Sequence, residues 1–68
     1  SSLGMPHAKR LSSVLFELRI RGRQEIRILY CLRKRSIYLL HGFKKQTQKT
    51  PQKEIETALK RFQTLTDV

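Results

Sequence analysis

Tryptophan is missing from this 68-residue chain, and Cys31 and Met5 are the single examples of their kind. One cysteine excludes an intrachain disulfide framework and gives no sign of an oxidising compartment. Apolar residues never run long enough to suggest a membrane-spanning helix, and no signal-peptide pattern is visible. Glycine occurs three times, and no glycine-rich phosphate loop can be built from it. His7, Cys31 and His41 stand far apart and form no spaced ligand set, so neither a metal nor a cofactor is expected. Acids are also scarce: five, against 15 lysines and arginines.

That imbalance leaves a net charge of +10. A field of that size on so small a chain favours a polyanionic partner, nucleic acid first and an acidic protein second. It also destabilises the compact state by self-repulsion. The length allows one domain, residues 1–68. Such a domain buries only about 60% of its extended-chain surface, so its stability margin is thin.

Residues 1–13 read as irregular, punctuated by Gly4 and Pro6. From Val14 to Ile20 the chain alternates: Val14, Phe16, Leu18 and Ile20 on one face, Leu15, Glu17 and Arg19 on the other. "RGRQE" (21–25) is a polar turn. Ile26 to Leu32 is a second strand, "RKR" (33–35) a tight turn, and Ser36 to His41 a third strand that Gly42 ends. A helix from Pro51 to about Leu65 follows, with Thr50 as its cap and Pro51 in its first position. Its apolar stripe is Ile55, Ala58, Leu59 and Phe62. The fold class is therefore α+β: a three-stranded antiparallel meander followed by a C-terminal helix. Both sheet faces carry apolar residues, and one helix covers only one of them. A second subunit, a further segment or a partner is expected on the other.

Pairing Ile20 with Ile26 places Phe16 opposite Tyr30 and Arg19 opposite Arg27. Like charges facing each other across a sheet are unfavourable. They become reasonable where the face meets phosphate, which guanidinium groups grip through paired hydrogen bonds. The competing reading is a solvated face with Glu17 as counter-ion. Phe16 and Tyr30 fit the core face, which puts Arg27 on the opposite face, where Arg27→Ala would leave the fold intact. His41 sits near the lysines Lys44, Lys45 and Lys49, whose charge favours its neutral, proton-accepting form. Glu17 is the alternative base.

Taken as a set, "LFELRIRGRQEIRILY" and "IYLLHGFKKQTQKTPQKEIETALKR" resemble the C-terminal part of the RelE/HigB toxin superfamily, and more closely its phage-derived HigB-like branch. The pattern is Leu15, Glu17, Leu18, Arg19, then Arg27 and Tyr30, then Leu40, His41, Phe43 and Lys45, then Thr50, Pro51, Glu54, Ala58 and Arg61. The resemblance covers about residues 3–65 and implies a cytoplasmic toxin that cleaves mRNA on the ribosome. A cognate helix-turn-helix antitoxin would restrain it. The resemblance places Arg19 on the scissile phosphate and Arg27 on the pentavalent transition state. Lys45, with Lys44, is the basic group after the last strand, and His41 lies close by. Arg21, Arg23, Lys44 and Lys49 are read as further RNA contacts. The family normally begins with a strand and two helices that this sequence does not show, so a truncated RelE-like fold lacking its N-terminal segment is expected.

The expected activity is metal-independent RNA cleavage through the 2′-OH, as a ribosome-associated endoribonuclease of a type II toxin–antitoxin system. The alternative is an inactive or truncated module that binds RNA or antitoxin. Self-association through the uncovered sheet face is a further expectation, and membrane association is not expected.

Overall fold

The computed structural model describes residues 7–45 and 49–65. Its strands are β1 (His7–Arg10), β2 (Phe16–Ile20), β3 (Ile26–Arg33) and β4 (Ser36–Lys44), followed by one helix, α1 (Gln52–Gln63). The strands form a single antiparallel sheet in chain order, β1-β2-β3-β4. The meander and the C-terminal helix are those expected from the sequence, as is the hairpin register: Phe16 pairs with Tyr30, Arg19 with Arg27 and Ile20 with Ile26.

The lead-in is not irregular throughout. Residues 7–10 add a fourth strand, with Lys9 opposite Glu17 and Arg10 opposite Phe16. "HAKR" has no apolar alternation to announce it. It pairs because β2 would otherwise present an open edge of backbone donors and acceptors. The expectation for residues 1–6 lies outside the described residues.

The covered face of the sheet is the reverse of the expected one. Leu15, Leu29, Cys31 and Leu40 form the buried cluster with Ala58 of α1, and Glu17 and Arg27 are buried on the same side. Ile55, Leu59 and Phe62 pack against that cluster, so the helical stripe itself is as read from the sequence. Phe16 and Tyr30 stack at 5.4 Å on the other side of the sheet. Alternation defines two faces but not which one a helix takes. Here the charged residues of the covered face neutralise one another, which makes burial affordable. The opposite face stays bare among the described residues, with Ile37 62% and Leu39 67% exposed.

Two local features set the helix in place. β4 does not stop at Gly42 but runs to Lys44, and its register slips: Leu29 pairs with His41 and Tyr30 with Leu39. Leu40 is thus an extra residue, a β-bulge. The bulge turns His41 onto the same face as Leu40, where strict alternation would put it on the bare side. The helix begins at Gln52, with Pro51 as a cap that makes no side-chain bond. Thr50 does not cap it, because its hydroxyl donates to Glu17.

The choice of faces is open to a stability test. Leu29→Ala, at a fully buried site, should cost about 2–5 kcal/mol. Leu39→Ser should change stability by less than about 0.5 kcal/mol. Urea unfolding of both variants gives the comparison, and equal losses would contradict the assignment.

Candidate functional site

The polar end of the covered face is built from β2, β3 and the chain that follows β4. Arg27 is 1% exposed. Its Nη2 donates to Glu25 Oε1 at 2.9 Å, and its Nε lies 3.5 Å from Glu17 Oε1. Nε and Nη1 have no hydrogen-bond partner among the described residues. A guanidinium carries five N–H donors, so this one retains capacity for further acceptor oxygens. Glu17 is itself buried and accepts the Thr50 hydroxyl on Oε2. Lys45 follows directly, its backbone N–H bonded to Glu25 O at 2.9 Å.

These charges shape one another. The Lys45 ammonium is pushed below its ordinary value, first by burial and then by Arg27 and Arg19, while Glu17 and Glu25 oppose the shift. Burial works against ionisation of Glu25, yet its carboxyl is held below the usual value because Arg27 pairs and hydrogen-bonds with it and Arg19 and Arg21 add their charge. Cys31 is buried and its thiol is pushed up by burial, with Arg33 opposing. That environment disfavours the thiolate and makes it a poor nucleophile.

Of the residues singled out in the sequence, Glu17, Arg19, Arg27 and Lys45 come together on this face. His41 shares the face but is engaged elsewhere. Its Nε2 meets Glu54 Oε1 at 2.5 Å, and Arg61 Nη1 donates to its Nδ1 at 3.2 Å. A guanidinium only donates, so Nδ1 accepts from Arg61, and both ring nitrogens are occupied by partners within the domain. Arg21 and Arg23 are exposed in the β2–β3 loop. Lys44 pairs with Ile26 and therefore belongs to the other face. Lys49 lines a cleft of roughly 520 Å³ together with Lys9, Arg10 and Lys45.

Sequence reasoning passed over Glu25 and Lys9, and it gave no site role to Thr50, Glu54 or Arg61, although all three belong to the pattern that carries the resemblance. Glu25 was within reach, because it stands two residues before Arg27 and so shares its side of the strand. Thr50 was read as a cap, which its position before Pro51 also permits. Glu54 and Arg61 are one helix face, seven residues apart, but their target is set by the bulge.

Among the described residues there is no group of three or more histidines, cysteines or acids placed to hold a metal ion. No described helix is long and apolar enough to cross a membrane.

The Glu25–Arg27 pair gives a pH dependence of known sign. The folded state binds fewer protons than the unfolded one wherever a carboxyl value is lowered by folding, so stability rises with pH there. Stability should hold above the unfolded value of 4.5 and fall as pH drops through the lower folded value. Glu25→Gln should flatten this part of the acid limb in urea titrations at pH 3–6. A limb unchanged by the substitution would remove Glu25 from the account. Arg27→Ala, expected from the sequence to leave the fold intact, instead removes a buried cation from beside two acids. It should cost about 3–5 kcal/mol in the same assay.

No curated protein and no solved structure matches the chain. A family described as "Phage derived protein Gp49-like (DUF891)" matches residues 1–63, nearly the whole sequence. With that extent of match, the chain belongs to the phage-derived Gp49-like family.

Proposed function

We propose that this chain acts on RNA as a metal-independent endoribonuclease of the RelE/HigB type, cleaving mRNA on the ribosome as the toxin of a type II toxin–antitoxin pair. The observation that carries the reading is the Arg19–Arg27 pair, held face to face in the sheet with Glu17 and Lys45 beside it. Two arginines directly opposite each other on one sheet face are costly without an anion beside them. Glu17 and Glu25 supply part of the compensation to Arg27, and a phosphate supplies the rest to the group as a whole.

RNA brings its own nucleophile, the 2′-OH. Cleavage requires removal of its proton, in-line alignment with phosphorus, stabilisation of added negative charge and protonation of the departing 5′ oxygen. Arg19 and Arg27 supply positive charge to the phosphorane. Lys45 is the better proton carrier, because its shifted ammonium gives up a proton more readily than an ordinary lysine. Glu17 is the alternative base. His41 acts as the tie between β4 and α1 that keeps the helix start, and with it Thr50, in register. The products would be a 2′,3′-cyclic phosphate and a 5′-OH.

A second reading is binding of RNA or antitoxin without cleavage. The burial of Arg27 favours it, since a side chain 1% exposed meets no phosphate unless its cover moves. In either reading a helix-turn-helix antitoxin or a second copy is the proposed occupant of the bare face.

Primer extension on mRNA in a translating extract separates the two. Cleavage is expected from the unsubstituted chain. Arg19→Ala and Lys45→Ala should each lower its rate by about 100- to 1000-fold. Lys53→Ala, on the exposed side of α1, should change it by less than about twofold. RNA retention that weakens with salt, without any cleavage, would favour the binding reading.

A further inference from the structure

The cleft beside the arginine pair is not needed to hold a scissile phosphate, yet it is built for an anion. Lys9, Arg10, Lys45 and Lys49 line it, no acid is among its described lining residues, and Glu17 stands behind it, opposite Lys9 in the sheet and bonded to the lining residue Thr50. Lys9 reaches it from edge strand β1, and Gln52 from the first turn of α1. Arg10 is partly spent, its Nε donating to Ser12 O at 3.0 Å. The remaining walls are aliphatic: Leu11 from the β1–β2 connection and Ile55 from the buried stripe of α1. A volume of roughly 520 Å³ falls inside the range of small-ligand pockets, about 300–1,000 Å³.

Three properties coincide there. The cations outnumber the acids around them and attract negative charge. The Leu11 and Ile55 side chains offer an apolar surface on which a flat ring can lie, as solvent alone would not require. Gln52 is exposed and carries an amide with both donor and acceptor, suited to the polar edge of a base. A bare phosphate or sulfate uses the first property and neither of the others. A duplex has its bases stacked away and uses only the first as well.

We propose that this cleft takes one unstacked nucleotide of a single strand, its base against Leu11 and Ile55 and its phosphate among Lys9, Lys45 and Lys49. This rests on the RNA reading of the neighbouring site and adds to it a subsite next to the cleaved bond. Lys45 lines the cleft and also feels the charges of Glu17, Arg27 and Arg19, so it joins the two. A strand would place one phosphate at Arg19, the half-buried member of the arginine pair, and draw the adjacent nucleotide into the cleft.

The test is NMR titration of the full chain with a nucleoside 5′-monophosphate, with inorganic phosphate and with a short single-stranded oligoribonucleotide. The mononucleotide should shift the Ile55 and Leu11 methyl signals and the Gln52 side-chain amide, with an affinity of about millimolar. Inorganic phosphate should leave those methyl signals in place. The oligonucleotide should bind at least about tenfold more tightly, because it engages both sites at once. Lys9→Ala and Gln52→Ala, both at exposed positions, should weaken mononucleotide binding about fivefold while leaving the folded spectrum intact. Phosphate reproducing every shift would reduce the cleft to an anion site and overturn the proposal. An oligonucleotide no tighter than the mononucleotide would overturn the assignment to a strand. Cleavage that persists unchanged in Lys9→Ala would remove the subsite and leave the endonuclease reading standing. Nucleotide shifts in the cleft without cleavage of any RNA would do the reverse.

Discussion

Arg27 is a buried cation in a domain with few acids, and the helix-covered side of the sheet is organised around it. Its guanidinium is held at 2.9 Å by Glu25 and lies 3.5 Å from Glu17. Removing a charge from water costs several kcal/mol unless partners restore the lost hydration. Two of the five acids of the chain are committed to this one arginine. Glu17 in turn is buried, and it gains a donor from Thr50, the residue just before the helix cap Pro51. An ion pair in the sheet thereby fixes where the helix starts, and the helix completes the cluster of Leu15, Leu29, Cys31, Leu40 and Ala58.

The rest of the helix is tied down by arginines as well. The bulge at Leu40 withdraws a carbonyl from the sheet ladder, and Arg61 Nη1 donates to that oxygen at 3.0 Å. The same nitrogen reaches His41, which holds Glu54 on its far side. At the helix end Arg33 donates to Leu65 O at 3.0 Å and lies 5.8 Å from the centre of the Phe62 ring. Several of the 15 basic residues are therefore structural. Net charge overstates the positive surface available to a partner. What remains is spread: one group surrounds Arg19, Lys45 and the cleft with Arg21 and Arg23 in the β2–β3 loop, and the rest lies at Lys34 and Arg35 in the β3–β4 turn, at Lys44, and at Lys53 and Lys60 on the outside of α1.

Alternation in "LFELRI" and "IRILY" made the hairpin legible to the residue, including the facing arginines, because a period of two leaves few registers once the turn is known. The stripe Ile55, Ala58, Leu59 and Phe62 made the helix equally legible. Three things were hidden for physical reasons. β1 is held by backbone bonding to an open edge, which side chains do not announce. The bulge at Leu40 breaks the period that every strand reading relies on, so the side on which His41 lies could not be counted. The covered face was misjudged because Glu17 and Arg27 look like surface residues one at a time. They become buriable only as a pair, with Glu25 and Thr50 present.

The two sides of the sheet now differ in kind. One holds the paired charges, the helix and the basic cleft. The other presents Phe16, Tyr30, Leu32, Ile37 and Leu39, with Arg10 and Lys44 as its charges at the strand ends. A contiguous apolar face of that sort is unusual on a monomeric protein. A second copy would match it in shape and polarity, but each copy brings a charge of +10, and their repulsion acts against that pairing. An acidic partner with an apolar stripe meets both demands at once. It would bury the bare strands and neutralise part of the field, and so weaken the attraction of the opposite side for any polyanion without touching the cleft. Because the two sides share one thin sheet, a partner on the apolar face would also stiffen the β2–β3 hairpin from behind, and that hairpin carries Arg19, Glu17 and Arg27.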